Sequence, residues 1–192
     1  MVVSKKIKHF LRTFPPARHW HADPLQAPDT YYHLDRHVKM EAGEFLSSFL
    51  PHVSQGEYAY KAPGIQVRNF YVEQRTAYIK ELPFSDMTAF DQVLRHIPEG
   101  IQVQLANSST VRYALLFDMH AGNPVFCNRG TSGIEGSTST AVGAAVNSKQ
   151  PVLLISGDLS FLYDTNGLWN EYIPSDFRII VINNQGGGIF RI

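Results

Sequence analysis

Two continuous apolar runs, PVLLIS (151–156) and FRIIVIN (177–183), carry the clearest hydrophobic pattern in the chain. Both are rich in β-branched residues and show no alternation, which is typical of parallel strands that are buried on both faces. Shorter strand patterns precede them at IQVQLA (101–106) and PVFCN (124–128). Strands that alternate with helical segments predict an α/β fold with an open parallel sheet and helices on both faces.

Helical patterns separate these strands. Ser85 precedes apolar residues at helical spacing, and Pro98-Glu99-Gly100 ends that helix. NSST (107–110) offers a capping cluster for a helix through VRYALLFDMH (111–120). GSTSTAVGAAV (136–146) predicts a helix of small residues, whose backbone can approach its neighbours closely.

The first 80 residues show a weaker pattern. Ser4 can cap a helix that Pro15-Pro16 ends, but prolines, aromatics and histidines then mix without long periodicity up to about residue 80. Within this stretch, YYHLDRHVKMEAGEFLSSFL (31–50) predicts one short helix. We therefore expect two parts: residues 1–80, loop-rich and with too few strong elements to close a core, and residues 81–192, which form the α/β domain.

Composition narrows the class of protein. The 192 residues are 44% hydrophobic and 18% charged, which is ordinary for globular domains, and 17 basic residues balance 17 acidic ones. A net charge of zero gives no field that favours nucleic acid or an anionic membrane. The basic start lacks the apolar core of a signal peptide, and no apolar run reaches the roughly 20 residues of a membrane span. The single cysteine, Cys127, excludes an internal disulfide and is expected to be a small buried hydrophobe, so we expect a cytoplasmic protein without a membrane span or nucleic-acid partner.

Polar residues end the two strongest strands. Gly157-Asp158 follows the first, and Asn183-Asn184 follows the second, ahead of Gln185 and three glycines. The carboxyl ends of parallel strands meet at one sheet edge, and a right-handed crossover can bring these residues together. A carboxylate and an amide carbonyl are hard oxygen ligands, which Mg²⁺ completes with water and a diphosphate. The pattern predicts a metal–diphosphate clamp.

Two further features favour this clamp. A helix starting near Ser160 would aim its free N–H groups at phosphate oxygens. The glycines at 186–188 would let a backbone carbonyl approach the metal. Either strand end alone is more often a helix cap or a turn. Their joint occurrence, with 26 residues from Asp158 to Asn184, favours the clamp.

The histidines form two close groups, HWH (19–21) and HLDRH (33–37). A helix would place His33 and His37 on one face, at a spacing that metal binding permits. Because no second carboxylate–histidine motif supports them, we do not expect a zinc site.

The pairing of Asp158 with Asn184 resembles the thiamine diphosphate signature, in which Gly-Asp precedes Asn-Asn by about one βα unit. Four motifs in order are similar to those of the 2-succinyl-5-enolpyruvyl-6-hydroxy-3-cyclohexene-1-carboxylate synthases of menaquinone biosynthesis. They are NSSTVR (107–112), NRGTSGIEGSTSTAVG (128–143), GDLSFLYDTNGL (157–168) and NNQGGGIF (183–190). Gly-Asp-Leu, where most other thiamine diphosphate enzymes have Gly-Asp-Gly, supports this choice. The opening VVSKKIKHFLR is weakly similar to the family's central domain.

The resemblance implies a domain for each part of the chain and a role for each matched residue. Residues 1–80 would be a central-domain remnant, and residues 81–192 the diphosphate-binding domain, truncated at its C-terminus. The metal, Mg²⁺ or Mn²⁺, would be bound by Asp158, the side chain of Asn184 and the backbone oxygen of Gly186. Thiamine diphosphate would contact Ser132, Gly133, Ile134, Gly157, Asp158, Leu159, Ser160 and Asn184, with Ile134 holding it in a bent form. The substrates would contact Ser108, Arg112, Arg129, Ile189 and Phe190.

The resemblance also implies the reaction and the assembly. The parent enzyme would decarboxylate 2-oxoglutarate and add the resulting carbanion to isochorismate. It would be a homodimer or homotetramer, with active sites between the pyrimidine domain of one subunit and the diphosphate domain of another. Because the activating glutamate of the family lies in the pyrimidine domain, no catalytic residue is assigned here, and we expect the chain alone not to turn over.

Two minor differences from the family and two alternatives remain. Gln185 stands where the family frequently has an acidic residue, and the spacing of 26 residues is at the short end of the family's range. The chain could belong to another thiamine diphosphate-dependent 2-oxo acid decarboxylase or carboligase. It could also be a non-catalytic diphosphate-domain module that serves in assembly.

Overall fold

A computed structural model describes residues 4–54, 56 and 59–187 of the chain. The chain divides into two compact units, Met1–Ile65 and Gln66–Ile192. The predicted domains, 1–80 and 81–192, remain predictions.

Among its described residues, the first unit contains two complete α-helices, a short 3₁₀ helix (Leu50–His52) and a pair of short strands. Helix α1 (Lys5–Thr13) begins after Ser4, whose side chain accepts a hydrogen bond from the Ile7 N–H, as the sequence predicted. Strands β1 (Trp20–Ala22) and β2 (Arg36–Val38) pair in parallel. Helix α2 (Ala42–Phe49) follows and is the short helix predicted within residues 31–50.

His33 and His37 do not share a helical face, so that prediction is wrong. His37 lies on β2, directly opposite His21 of β1. The side chain of Asp35 accepts the His19 N–H and so ties the start of one strand to the start of the other. Long-range strand pairing of this kind cannot be deduced from spacing along the chain.

Helix α3 (Lys61–Glu81) is the longest helix among the described residues, and the sequence had predicted no helix there. It carries Pro63 and Gly64 near its start, and its apolar residues are spread around it without a single stripe. None of its residues is buried. A helix without a buried apolar face gives no periodic signal, which explains the omission. None of the described helices is both long and apolar enough to cross a membrane.

The second unit is built on a four-stranded sheet in the order β4-β3-β5-β6, in which every neighbouring pair is parallel. Its strands are β3 (Gln102–Leu105), β4 (Val125–Cys127), β5 (Val152–Gly157) and β6 (Arg178–Ile182). Its helices after α3 are α4 (Asp86–Arg95), α5 (Ser109–Ala114), α6 (Ser137–Asn147) and α7 (Asp158–Tyr163). The predicted α/β fold with a parallel sheet is confirmed.

Strand β5 lies in the middle of this sheet and supplies side chains to a core on each face. Leu153 and Ile155 belong to one cluster, together with Phe90 and Leu94 of α4 and with Val111 and Ala114 of α5. Leu154 belongs to the other, with Val152, Phe177 and Ala141, Val142 and Ala145 of α6. Because successive side chains of a strand point to opposite faces, helices cover both faces of the sheet, as predicted.

The connections of β3 and β5 lie on opposite faces of the sheet. From β3 the chain passes through α5 to β4, on the face of Phe90. From β5 it passes through α7 and the segment at Leu168 to β6, on the face of α6. Neighbouring strands with divergent connections open a crevice at their carboxyl ends, which is where open α/β sheets bind ligands. The topology therefore points to the edge that carries Asn107 and Asp158.

Helix α5 is shorter than predicted. It ends at Ala114, and the next residues form tight turns in which the Leu116 N–H donates to the Tyr113 carbonyl. The expected continuation to residue 120 is wrong, because apolar residues in 115–119 mimic helical spacing without continuing the helix.

Replacing glycine by alanine is expected to change the stability of this unit in opposite directions at two positions. A Cβ at Gly167 would lie 2.8 Å from Ser139 Oγ and 3.0 Å from Ser139 Cα, whereas one at Gly143 of α6 meets nothing within 4 Å. We expect Gly167→Ala to destabilise the chain by about 1–3 kcal/mol through overpacking. Gly143→Ala is expected to stabilise it by about 0.5–1 kcal/mol through helix propensity. Urea unfolding followed by circular dichroism measures both, and equal effects would contradict the packing of residue 167 against α6.

Candidate functional site

The carboxyl ends of β5 and β6 meet at Asp158. The Gly186 N–H donates to Asp158 Oδ2 at 3.1 Å, and the Leu159 N–H donates to Asp158 Oδ1 at 2.9 Å. Asp158 is the first residue of α7, which begins directly after Gly157 rather than near Ser160. The structure therefore brings together two of the three predicted metal ligands, across a crossover of 28 positions.

The two asparagines after β6 make different hydrogen bonds. Asn183 Oδ1 accepts the Gln185 N–H at 3.0 Å and so closes a turn. Asn184 Nδ2 donates to Asp86 Oδ2 at 3.0 Å, at the start of α4. This hydrogen bond involves only the amide nitrogen of Asn184. The amide oxygen of Asn184, which is the atom predicted to bind metal, takes no part in it.

The donor set suits a hard divalent cation. It would consist of the Asp158 carboxylate, the Asn184 amide oxygen and the Gly186 carbonyl, all of them oxygen atoms. Over residues 4–54, 56 and 59–187, no group of three or more His, Cys, Asp and Glu side chains is placed to hold a metal. One carboxylate with two neutral oxygens fits Mg²⁺ or Mn²⁺ only when water and a ligand's phosphate oxygens complete the shell.

The segment 128–136, which follows β4, is held to the ends of β3 and β5. Asn107, buried directly after β3, donates through Nδ2 to the carbonyl oxygens of Asn128, at 3.1 Å, and Gly133, at 2.9 Å. From the β5 side, the buried Ser160 hydroxyl donates to the Ile134 carbonyl. The loop with the predicted cofactor contacts Ser132, Gly133 and Ile134 is thus fixed from two neighbouring strand ends.

Backbone conformations with positive φ concentrate at this edge. Among the described non-glycine residues, φ is positive at Tyr32, Ser108, Ser132 and Gln185. The last three follow β3, β4 and β6 respectively. Left-handed backbone at a non-glycine residue costs of order 1 kcal/mol and clusters at ligand sites, so three such residues at one sheet edge support a functional role for it.

The predicted substrate residues lie on the segments that follow β3 and β4. Ser108 precedes α5 at its N-cap position, and Arg112 is an exposed residue of that helix. Arg129 is partly buried two residues after β4. Ile189 and Phe190 lie outside the described residues, so their predicted contact with a substrate stays a prediction.

Two side chains near these segments have environments that the sequence did not reveal. Asp164, buried after α7, accepts the Ser139 N–H at 2.7 Å and the Ser139 hydroxyl at 2.5 Å, and so caps the start of α6. Cys127 is only partly buried at the end of β4. Burial raises the pKa of the Cys127 thiol and so favours its protonated, unreactive form, while the positive charge of Arg129 acts in the opposite direction.

Comparison with known proteins gives one consistent result. No protein-family profile matches the chain. The whole chain is 48% identical over 192 residues to the 2-succinyl-5-enolpyruvyl-6-hydroxy-3-cyclohexene-1-carboxylate synthase of Flavobacterium psychrophilum, and 47% identical to that of Christiangramia forsetii. It is 42% identical over 194 aligned positions to that of Bacteroides fragilis, with 99% of the chain covered.

The alignments cover only part of each relative. The chain spans 35% of the Flavobacterium protein, 33% of the Christiangramia protein and 34% of the Bacteroides protein. The resemblance that the four motifs predicted is therefore confirmed along the whole chain, and it concerns about one third of those synthases.

Proposed function

We infer that this chain, which aligns from end to end with about one third of the 2-succinyl-5-enolpyruvyl-6-hydroxy-3-cyclohexene-1-carboxylate synthases, carries the diphosphate-binding domain of such a synthase at 81–192, after a central-domain remnant at 1–80. One observation carries the inference beyond similarity. The Gly186 N–H reaches the Asp158 carboxylate at the carboxyl edge of the sheet, so the two halves of the Gly-Asp and Asn-Asn signature lie together. A signature divided between two strands works only if the fold joins its halves.

The metal and the diphosphate would be held by the junction of β5 and β6. Asp158, the Asn184 side chain and the Gly186 carbonyl would bind Mg²⁺ or Mn²⁺, and Gly157, Leu159 and Ser160 would meet the phosphate oxygens. Thiamine diphosphate supplies, when bound, the thiazolium that stabilises the carbanion left by decarboxylation. Because Asn107 and Ser160 fix the loop 128–136, Ser132, Gly133 and Ile134 can contact the cofactor from a preorganised position.

The substrate carboxylates would be bound by arginines at the same edge. 2-Oxoglutarate is a dicarboxylate and isochorismate also carries carboxylates, so planar bidentate donors are required. We assign this role to Arg112 and Arg129, with Ser108 assisting at the start of α5. Ile189 and Phe190 would form an apolar wall for the isochorismate ring. The enzyme would be a cytoplasmic homodimer or homotetramer of the menaquinone pathway.

These 192 residues on their own are proposed to bind the cofactor without turning over. In the family, the glutamate that activates the cofactor belongs to the pyrimidine domain, and the four matched motifs do not include it. We expect no carbon dioxide release from 2-oxoglutarate by the purified chain with Mg²⁺ and thiamine diphosphate. Release above that of the Asp158→Ala variant would contradict this proposal.

A chimera tests the substrate assignment. The aligned third of the Flavobacterium psychrophilum synthase is replaced by this chain, and product formation from isochorismate is measured with 2-oxoglutarate or pyruvate as donor. We expect activity with 2-oxoglutarate and little with pyruvate. Arg129→Ala in the same chimera should raise the KM for 2-oxoglutarate by about 10-fold or more, because a charged hydrogen bond contributes about 1.5–3 kcal/mol.

The outcomes of the chimera separate the alternatives. Preference for pyruvate would instead support another 2-oxo acid decarboxylase or carboligase. A folded chimera that binds cofactor but catalyses nothing, beside an active parent synthase, would support a non-catalytic module.

A further inference from the structure

The contact between Asp86 and Asn184 joins two parts of the chain that are 98 positions apart. Asn184 Nδ2 donates to Asp86 Oδ2 at 3.0 Å. Asp86 is the first residue of α4, and Asn184 lies two residues after β6, beside the Gly186 that bonds Asp158. Neither the predicted clamp nor the family resemblance assigned a role to Asp86.

An asparagine has two chemically different ends, and only one of them can bind a metal. Its amide oxygen is a ligand for Mg²⁺, while its amide nitrogen carries two hydrogens and would repel the ion. A carboxylate accepts hydrogen bonds and cannot donate them. Asp86 therefore holds the nitrogen of Asn184 and excludes the flipped amide, in which the oxygen would face Asp86.

We propose that Asp86 is a positioning residue of the metal site, which selects the amide orientation of Asn184 that presents its oxygen to the ion. This inference rests on the proposed function, since it concerns the metal of that site. Partners that orient the ligands of a metal are a general requirement of such sites. Asp86 would act entirely through Asn184 and would not touch the ion.

Asp86 is suited to this role because α4 holds it in place. The helix is closed at its start by a capping box, in which the Ser85 N–H donates to Thr88 Oγ1 at 2.8 Å and the Thr88 N–H donates to Ser85 Oγ. Phe90, which is 1% exposed, and Leu94 anchor the helix in the core beneath β3 and β5.

Calorimetry of the 192-residue chain with thiamine diphosphate at a series of Mg²⁺ concentrations tests the proposal. We expect Asp86→Ala to raise the Mg²⁺ concentration needed for half-maximal binding by about 10- to 100-fold. Asp86→Glu keeps an acceptor-only group and should recover most of that loss. Asp176→Ala is the matched control, because it removes one exposed negative charge at the other end of β6 and should leave the Mg²⁺ requirement unchanged.

A second background separates orientation from general loosening of the site. Asn184→Asp replaces the amide by a carboxylate whose two oxygens are equivalent, so no orientation needs to be selected. In this background Asp86→Ala should cost no further Mg²⁺ affinity, and it should recover some by removing a like charge. An equal loss in both backgrounds, or a loss with Asp176→Ala as large as with Asp86→Ala, would overturn the proposal.

The failure of this inference differs from the failure of the proposed function. If the unsubstituted chain shows no metal-dependent binding, both are overturned. If it binds and Asp86→Ala binds equally well at every Mg²⁺ concentration, only the role of Asp86 is overturned.

Discussion

Replacing Asp158 by alanine is expected to abolish the metal dependence of thiamine diphosphate binding and to lower the affinity by about 100-fold. Residues that only orient a metal ligand contribute about 10- to 100-fold to metal affinity, so loss of a ligand itself should reach at least the upper value. Asp158 is the single carboxylate of the proposed donor set. It also accepts the Gly186 N–H and so holds the loop after β6 against β5. The substitution therefore removes the charged ligand and releases a second ligand at the same time.

The measurement is isothermal titration with thiamine diphosphate in the presence and absence of Mg²⁺. Asp158→Asn is the matched variant, because it removes the charge but keeps one acceptor oxygen, which can serve either the Leu159 or the Gly186 N–H. We expect it to fold like the original chain and still to lose most metal-dependent binding. Asp176→Ala, at an exposed position, controls for the loss of one negative charge. Metal-dependent binding that survives both Asp158 substitutions would contradict the clamp.

The second large effect concerns stability and Asp164. Its buried carboxylate accepts both the N–H and the hydroxyl of Ser139, in the first turn of α6. Asp164→Ala would leave the Ser139 N–H without its capping partner in a partly buried place. We expect the free energy of unfolding to fall by about 2–4 kcal/mol, from the lost cap and the unsatisfied donor together.

Urea unfolding followed by circular dichroism measures this loss. Ser139→Ala removes only the hydroxyl and keeps the N–H bond to Asp164, so it should cost about 1 kcal/mol, the usual value of one hydrogen bond. Similar losses for the two variants, or a change below about 0.5 kcal/mol for Asp164→Ala, typical of exposed surface positions, would show that Asp164 does not cap α6.

The sheet and its functional edge could be predicted because their signals are local. PVLLIS and FRIIVIN are continuous apolar runs, and they form the neighbouring strands β5 and β6. Only β5 is buried as predicted, because β6 lies at the edge of the sheet among the described residues and none of its residues is buried. Since the ends of such strands meet at one edge, the proximity of Asp158 and Gly186 followed from topology alone. The caps at Ser4 and Ser85 were equally local, because each depends on a side chain within three residues.

The remaining features depend on contacts between distant residues. Helix α3 has no buried face and therefore no periodic pattern. His37 lies on a strand and not on the predicted helix, because β2 pairs with β1. Asp86 reaches Asn184 across 98 positions, and Asp164 reaches Ser139 across 25. A single sequence carries no signal for such pairs, because each residue alone is equally well explained as an ordinary helix-end acid.

Titration of the unsubstituted chain with thiamine diphosphate, once with Mg²⁺ and once with a chelator, is the decisive experiment for the metal site. We predict saturable binding with Mg²⁺ and none with the chelator, because a single carboxylate holds the diphosphate only through the ion. Binding of equal strength under both conditions, or no binding by a chain that circular dichroism shows to be folded, would contradict the metal–diphosphate clamp at Asp158.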